Sequence, residues 1–359
     1  MSTSRREPAT EDNGGVDTRD KILREIGKVA SGGRSGEVLW RMRSDDGAID
    51  VTYGDANRPF FIASATKLYV TAILAQLHAE GLLPWDSPIA TYLPDLDLWG
   101  LSTHQGRDLG SEITVQQVMA HTAGLPDYFE GKRPDSATTL AQALDADFAW
   151  DLGDVLTWSR EIGPGTPGKG RYSDTGYQIL GAVIESLDAR PFARSVHERI
   201  CTPLGLGQTY VFSIGDIARY GTVAPFRVGN HPVTIPQAMA SVQADGGIVS
   251  TLADGMRFLD AFFDGTLVDP ATLQWMCSDW HRIFFPLEYG NGIMRFRMPS
   301  VLTGFRRVPP FIGHSGASGV VMFRTPDLGI TVVGTVNQAT HRSMPYQLMV
   351  RTTLAAASR

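Results

Sequence analysis

FIASATKLYV, residues 61–70, places Ser64 and Lys67 three positions apart in an otherwise mostly apolar run. On a helix, residues so spaced share a face, so a hydroxyl and an amine project together from a segment that is otherwise being buried. A buried ammonium is costly unless it has a partner or a task. A serine at a helix N-terminus gains from the dipole as negative charge develops on it, and a desolvated lysine one turn later has the geometry of its base. Ser-x-x-Lys also arises on the order of once by chance in a chain of this length, and an N-cap serine with a snorkelling lysine satisfies it without chemistry. The rest of the chain has to decide between the two readings.

Flanking patterns place the run in a sheet-and-helix framework. DKILREIGKVA (20–30) spaces Ile22, Leu23, Ile26 and Val29 helically and stops at Gly32-Gly33. EVLWRMRS (37–44) and AIDVTYGD (48–55) flank Asp45-Asp46-Gly47 and predict a β-hairpin. From Ser64 to about Glu80 the period is helical and closes at Gly81. Residues 82–245 alternate Pro/Gly punctuation with short helical patterns such as ITVQQVMAH and TGYQILGAVIESL, with no clear strand. GGIVSTLADGMRFLDAFFDG (246–265) reads as a turn and a helix. Strand patterns then return in YGNGIMRFRM, PFIGHSGAS, GVVMFRTPD and GITVVGTVN, before a last helical stretch over about 342–357.

The expected fold class is therefore α/β of the α+β type. A mainly antiparallel sheet is built from N- and C-terminal strands and flanked by helices, with a large helical region inserted in the middle. The expected division is a disordered tail over 1–18, a sheet domain from 19–81 and 246–359, and a mainly helical domain over 82–245.

Composition removes several function classes. With 359 residues, 43% hydrophobic and 19% charged, the chain is of ordinary globular type. A net charge of −6 without a dense Lys/Arg stripe argues against a nucleic-acid partner. Cys201 and Cys277 stand far apart without CxxC spacing, which predicts two free thiols. Histidines fall in no HxH or HExxH pattern, so neither a metal nor a cofactor is expected. No run reaches the roughly 18 apolar residues of a membrane span, and the polar start MSTSRREPATEDNGG lacks a signal-peptide core. A cytoplasmic protein with a small-molecule partner is the expectation; the oligomeric state is left open.

Three further segments carry candidate chemistry. Arg171-Tyr172-Ser173-Asp174 follows the loop GPGTPGKG and opens a helical pattern, so a phenol and a carboxylate can enter one cleft; equally, Asp174 can cap the helix and Tyr172 pack. The loop itself, Gly163-x-x-x-x-Gly168-Lys169, imitates a phosphate-binding loop. Gly170 stands where Ser or Thr is needed, and Pro164 and Pro167 remove N–H donors, so it reads as a rigid turn. His314-Ser315-Gly316-Ala317-Ser318-Gly319 puts small residues in a strand, where a ligand or another backbone can approach closely. His121, in AHTAGLPDY, reads as a structural residue holding the Gly124-Leu125-Pro126 turn. The aromatic stretch Trp275–Tyr289, with Trp280, Phe284 and Phe285, suits a substrate pocket or the core equally.

Taken in order, SATK, YSD about a hundred residues on and HSG near the end resemble the serine β-lactamase and penicillin-binding-protein superfamily. The closer likeness is to its class C-like branch of esterases, D-amino-acid peptidases and acyltransferases. ITVQQVMAHTAGLPDY, ADGGIVSTLADGMRFL, YGNGIM and GHSGASGVVMFRTPDLGITVVGTVN extend the likeness over most of the chain. The resemblance implies Ser64 as acylated nucleophile, Lys67 keeping it deprotonatable and Tyr172 as second proton shuttle. It also implies an oxyanion hole from the backbone N–H groups of Ser64 and Ala317, with Asp174, His314, Ser315 and Gly316 at the substrate.

Two positions depart from the pattern. Asp174 replaces a usual Asn, and a carboxylate beside Lys67 pairs with the ammonium, which weakens Lys67 as a free base and favours Tyr172. His314 replaces a usual Lys, exchanging a permanent cation for a group charged only part of the time near neutral pH. Both count against an efficient β-lactamase and towards the esterase, amidase or peptidase members, and the missing signal-peptide core counts against a cell-wall transpeptidase; a serine hydrolase of small esters or amides is the leading expectation. An acyltransferase of the same fold is the alternative, and a catalytically silent binding protein on this scaffold is ranked below both.

Overall fold

A computed structural model describes residues 13–135, 137–298 and 308–357, with side chains from Thr18 onward. An eight-stranded antiparallel sheet forms its centre. In spatial order the strands are His281–Phe284, Leu287–Tyr289, Met294–Phe296, Phe311–Gly316, Val320–Thr325, Ile330–Thr335, Leu39–Ser44 and Asp50–Tyr53. The expected hairpin pairs Trp40 with Tyr53, and Leu39 pairs with Thr335, so the N-terminal strands join the C-terminal ones. The chain is thus of the α/β class, its main sheet assembled from both ends.

Both faces of the sheet are covered, which explains strands such as ITVVGT that are buried at every position. Val321, Phe323 and Val332 pack with Ile22 and Ile26 of the helix Asn13–Ala30 and with Leu348 and Met349 of the helix Met344–Ala357. On the opposite face Val320, Met322 and Val333 join Leu252, Met256 and Leu259 of the helix Leu252–Phe263. Gly334 is dictated by this packing: a Cβ there would lie 2.3 Å from the Trp40 ring.

The helix Thr66–Ala79 is buried at every position from Thr66 to Ala75, as its nearly unbroken apolar composition requires. It stands at the centre of the molecule, which fixes Lys67 in the interior.

Several element boundaries differ from expectation. The first helix begins at Asn13, inside the stretch read as a tail; residues 1–12 of that tail lie outside the described residues. Ile248–Ser250 is a strand and not a turn, and pairs with Phe60–Phe61 and Tyr210–Val211 in a small second sheet. The middle region therefore holds strands, including two-residue pairs at Thr103–His104 with Arg107–Asp108 and at Arg227–Val228 with His231–Pro232. Such short pairs carry too few residues to show a period of two.

Candidate active site

Ser64 lies in a single tight turn, Ala63–Ala65, that leads into the helix Thr66–Ala79. Both ends of the turn are pinned by one residue of the small sheet: the Ile62 N–H donates to the Ile248 carbonyl at 2.9 Å, and the Ile248 N–H donates to Thr66 Oγ1 at 3.1 Å. Ala63 is held at φ +46, a left-handed conformation that a residue with a Cβ adopts only when its surroundings impose it.

Lys67 is wholly buried, and its charge is matched on every side. Nζ donates to Asp174 Oδ1 and to the Asp245 carbonyl, each at 2.6 Å. The rings of Tyr172 and Tyr177 lie 5.1 and 5.2 Å from it, within cation–π range. The pairing expected from Asp174 is present. Asp174 does not cap its helix, however; Ser173 does, with Oγ accepting from the Gly176 N–H at 3.3 Å and donating to the Pro126 carbonyl at 2.6 Å.

The Tyr172 phenol is held well above its ordinary pKa, first by burial and next by the Asp174 charge, while a hydrogen bond with the Ser64 hydroxyl pulls the other way. Tyr172 is therefore a protonated phenol at neutral pH, positioned against Ser64.

Glycine brings the third segment to this pair. A Cβ on Gly316 would lie 2.4 Å from the Ile62 carbonyl, so only glycine lets the strand Phe311–Gly316 run alongside the Ser64 turn. Ser318 Oγ then donates to the Phe61 carbonyl at 3.2 Å. Ala317 is the first residue beyond the ladder that pairs Gly316 with Val320, and it is exposed to the cavity.

His314 stands elsewhere than expected. It is fully buried and does not line the cavity. Nδ1 donates to the Ser315 carbonyl at 2.7 Å, so Nε2 accepts from the Tyr289 hydroxyl at 3.0 Å. Burial and the neighbouring Lys67 ammonium push its pKa down to about 3. It is neutral at physiological pH and supplies no cation to a substrate. The reason is alternation: in a strand, Ser315 faces the opposite side from His314 and is the one presented to the cavity.

A cavity of about 440 Å³ unites Ser64, Tyr172, Asp174, Ser315, Gly316 and Ala317. One wall is apolar, with Phe61, Phe129, Phe226, Ile235, Met239 and Val242; the exposed Phe284 also lines the cavity. Trp280 does not, and instead lies under the Arg295 guanidinium at 4.2 Å.

Acidic groups that carry no motif in the sequence line the other side. Asp127 accepts from the backbone N–H groups of Asp174 and Phe129 at 3.2 Å and of Glu130 at 3.3 Å. Burial, then the Asp174 charge, push its carboxyl up to about 7. Asp245 accepts from the Tyr128 hydroxyl at 2.8 Å and from Gln178 Nε2 at 3.1 Å, and burial holds its carboxyl well above the usual range. Glu130 pairs with Arg342 at 3.0 Å. The signal for Asp127 and Asp245 was weak: each is one carboxylate beside a Gly/Pro turn, inside segments already quoted for their likeness.

The β-lactamase family model matches residues 27–354, and the chain belongs to that family. Penicillin-binding protein 4 of Amycolatopsis lactamdurans is 25% identical over 279 residues, 72% of this chain and 66% of that protein. Esterase EstB of Burkholderia gladioli is 29% identical over 203 residues, 52% of this chain and 48% of the esterase. The chain thus spans less than two thirds of the length of either relative.

Among solved structures, D-amino acid amidase of Ochrobactrum anthropi SV3 in complex with D-phenylalanine superposes with a TM-score of 0.77 at 21% identity, covering 96% of this chain and all of the amidase. EstCE1, a hydrolase with promiscuous acyltransferase activity, superposes with a TM-score of 0.75 at 17% identity over 95% of this chain and 98% of its own. Both likenesses concern the fold. No described helix is long and apolar enough to cross a membrane.

Proposed function

We propose that this protein is a serine hydrolase of small esters or amides that works through an acyl-Ser64 intermediate. One observation carries the reading: a single cavity presents the Ser64 hydroxyl beside a protonated Tyr172 phenol, over a buried Lys67 already paired with Asp174. Because the phenol is protonated and Lys67 is paired, Tyr172 serves as a relay. Its oxygen takes the Ser64 proton as its own proton passes to the departing alcohol or amine, and Ser64 Oγ bonds to the acyl carbon as the leaving group separates. Water attacks the acyl-enzyme by the reverse relay. The backbone N–H groups of Ser64 and Ala317 receive the oxyanion, and Lys67, paired with Asp174, is an orienting cation beside the Tyr172 ring.

The amidase, esterase and penicillin-binding relatives support an acyl-transfer reaction on this fold. The apolar wall favours an acyl group with a hydrophobic substituent, and Asp127, which among the described residues accepts only backbone N–H groups while Asp174 and Glu130 are ion-paired, favours one that carries an amine, as an amino-acid amide does. Transfer to a small-molecule acceptor is the second reading, favoured by the same apolar wall, which disfavours ordered water. Residues 82–245, as a unit set into the sheet domain of 19–81 and 246–359, supply Tyr172 and the acidic side.

Intact-protein mass spectrometry with a panel of acyl esters, D-aminoacyl amides and β-lactams tests the reading. An acyl mass is expected on the wild type and none on Ser64→Ala. Partition of that acyl group between water and added alcohol separates the two readings. Undiminished turnover by a folded Ser64→Ala protein removes both.

A further inference from the structure

In the sequence His121 stands as a structural residue of the Gly124-Leu125-Pro126 turn, yet its contacts in the structure converge on Tyr172. Its carbonyl accepts from the Arg171 N–H at 2.8 Å, and its Nδ1 accepts from the Ser173 N–H at 3.2 Å. The two residues on either side of Tyr172 are thus both tied to one histidine. Its ring lies against the Tyr172 ring with centroids 4.4 Å apart, and against Tyr289 at the same distance.

The segment after it repeats the arrangement on the preceding loop. Gly168 N–H donates to the Thr122 carbonyl and Gly165 N–H to the Gly124 carbonyl, each at 2.7 Å. The Gly/Pro loop that imitates a phosphate cradle is therefore an approach ramp for Tyr172, templated on residues 121–124.

Two unfavourable features come with this arrangement. His121 takes φ +56, in the left-handed region that is uncommon for non-glycine residues, though less so for histidine than for most. Since Nδ1 accepts, the neutral ring carries its proton on Nε2, and that atom is buried without a hydrogen-bond partner. A residue with no task beyond closing a turn would be better served by asparagine or glycine. We propose that His121 is the positioning residue for Tyr172, its Nδ1 and carbonyl clamping the backbone on both sides of it. The inference rests on the assignment of Tyr172 as the proton relay. His121 acts through Tyr172 and does not touch the reacting atoms.

Four variants, assayed with an activated acyl ester, test it by steady-state kinetics normalised to titrated Ser64. His121→Ala removes acceptor and ring, and lowers kcat on the order of 10²-fold with KM within about threefold, the expectation for a misplaced catalytic group. His121→Asn keeps an acceptor near the Nδ1 position and accepts a left-handed backbone, so it recovers most of kcat although it melts at a lower temperature. His121→Phe keeps the ring volume, melts above His121→Asn, and still loses kcat. In a Tyr172→Phe background, adding His121→Ala costs less than about threefold more, because residues acting as one unit are not additive.

The proposal is overturned if His121→Asn loses as much kcat as His121→Ala, or if the His121→Ala loss recurs undiminished in the Tyr172→Phe background. Should His121→Ala fail to fold, the Asn and Phe variants decide alone, since one keeps the acceptor and the other the ring. A wild type that turns over no ester, or one as active without Ser64, overturns the assignment of the site itself and is distinguishable from either result.

Discussion

Asp174→Asn is an isosteric change that removes one charge from the centre of the molecule. Lys67 is wholly buried, the Asp174 carboxyl nearly so, and their charged atoms are 2.6 Å apart. At that separation an effective dielectric near 20 gives roughly 6 kcal/mol of attraction. The amide retains a neutral acceptor for Nζ, and the Asp245 carbonyl still receives a second hydrogen bond. The expected net loss is therefore about 3 kcal/mol, at the lower end of values for breaking a buried pair.

Urea unfolding of the two proteins reads the loss as a shift of midpoint at constant slope. A loss under about 1 kcal/mol at pH 7 would refute the reasoning and describe a pair whose desolvation cancels its attraction.

Three other changes follow from the same geometry. Tyr172→Phe deletes the hydroxyl of the proposed relay but not the ring, and should lower kcat by roughly 10²- to 10⁴-fold while KM stays within a few-fold; steady-state kinetics with a p-nitrophenyl ester measure it. Asp127 binds its proton more tightly when folded, with its carboxyl at about 7 against an unfolded 3.8, so its contribution to stability is complete below that lower value and is lost as pH rises through about 7. Asp127→Asn lacks this loss, and its melting temperature should gain on the wild type between pH 5 and 8; a constant difference contradicts the assignment. His314→Lys would restore the usual residue of the third motif, yet it buries an ammonium beside Lys67 and forfeits the bond to Ser315. Thermal unfolding should show a loss of several kcal/mol.

The sheet was legible because Val320–Thr325 and Ile330–Thr335 are apolar and buried at nearly every position, while Leu39–Ser44 alternates buried Trp40 and Met42 with Arg41 and Arg43. Ser64, Lys67, Tyr172 and Asp174 were legible through motif spacing, and the cavity does gather Ser64, Tyr172 and Asp174 over Lys67. What escaped was set by packing. His314 looked like a substrate contact because the motif does not say which strand face a side chain takes when Ser315 is the residue turned to the cavity. Asp127 and Asp245 gave no pattern, since their partners lie 47 and 117 residues away, at Asp174 and Tyr128. His121 was legible as a turn residue only, because its second partner, Ser173, is 52 residues distant.

The central claim is that an acyl group passes through Ser64. The direct measurement is intact mass after seconds of exposure to an acyl ester, followed by peptide mapping of the adduct. One acyl mass is expected on the wild type, located in the peptide that carries Ser64, persisting longer in Tyr172→Phe and absent from Ser64→Ala. An adduct that maps elsewhere, or ester turnover that survives in folded Ser64→Ala, would contradict it.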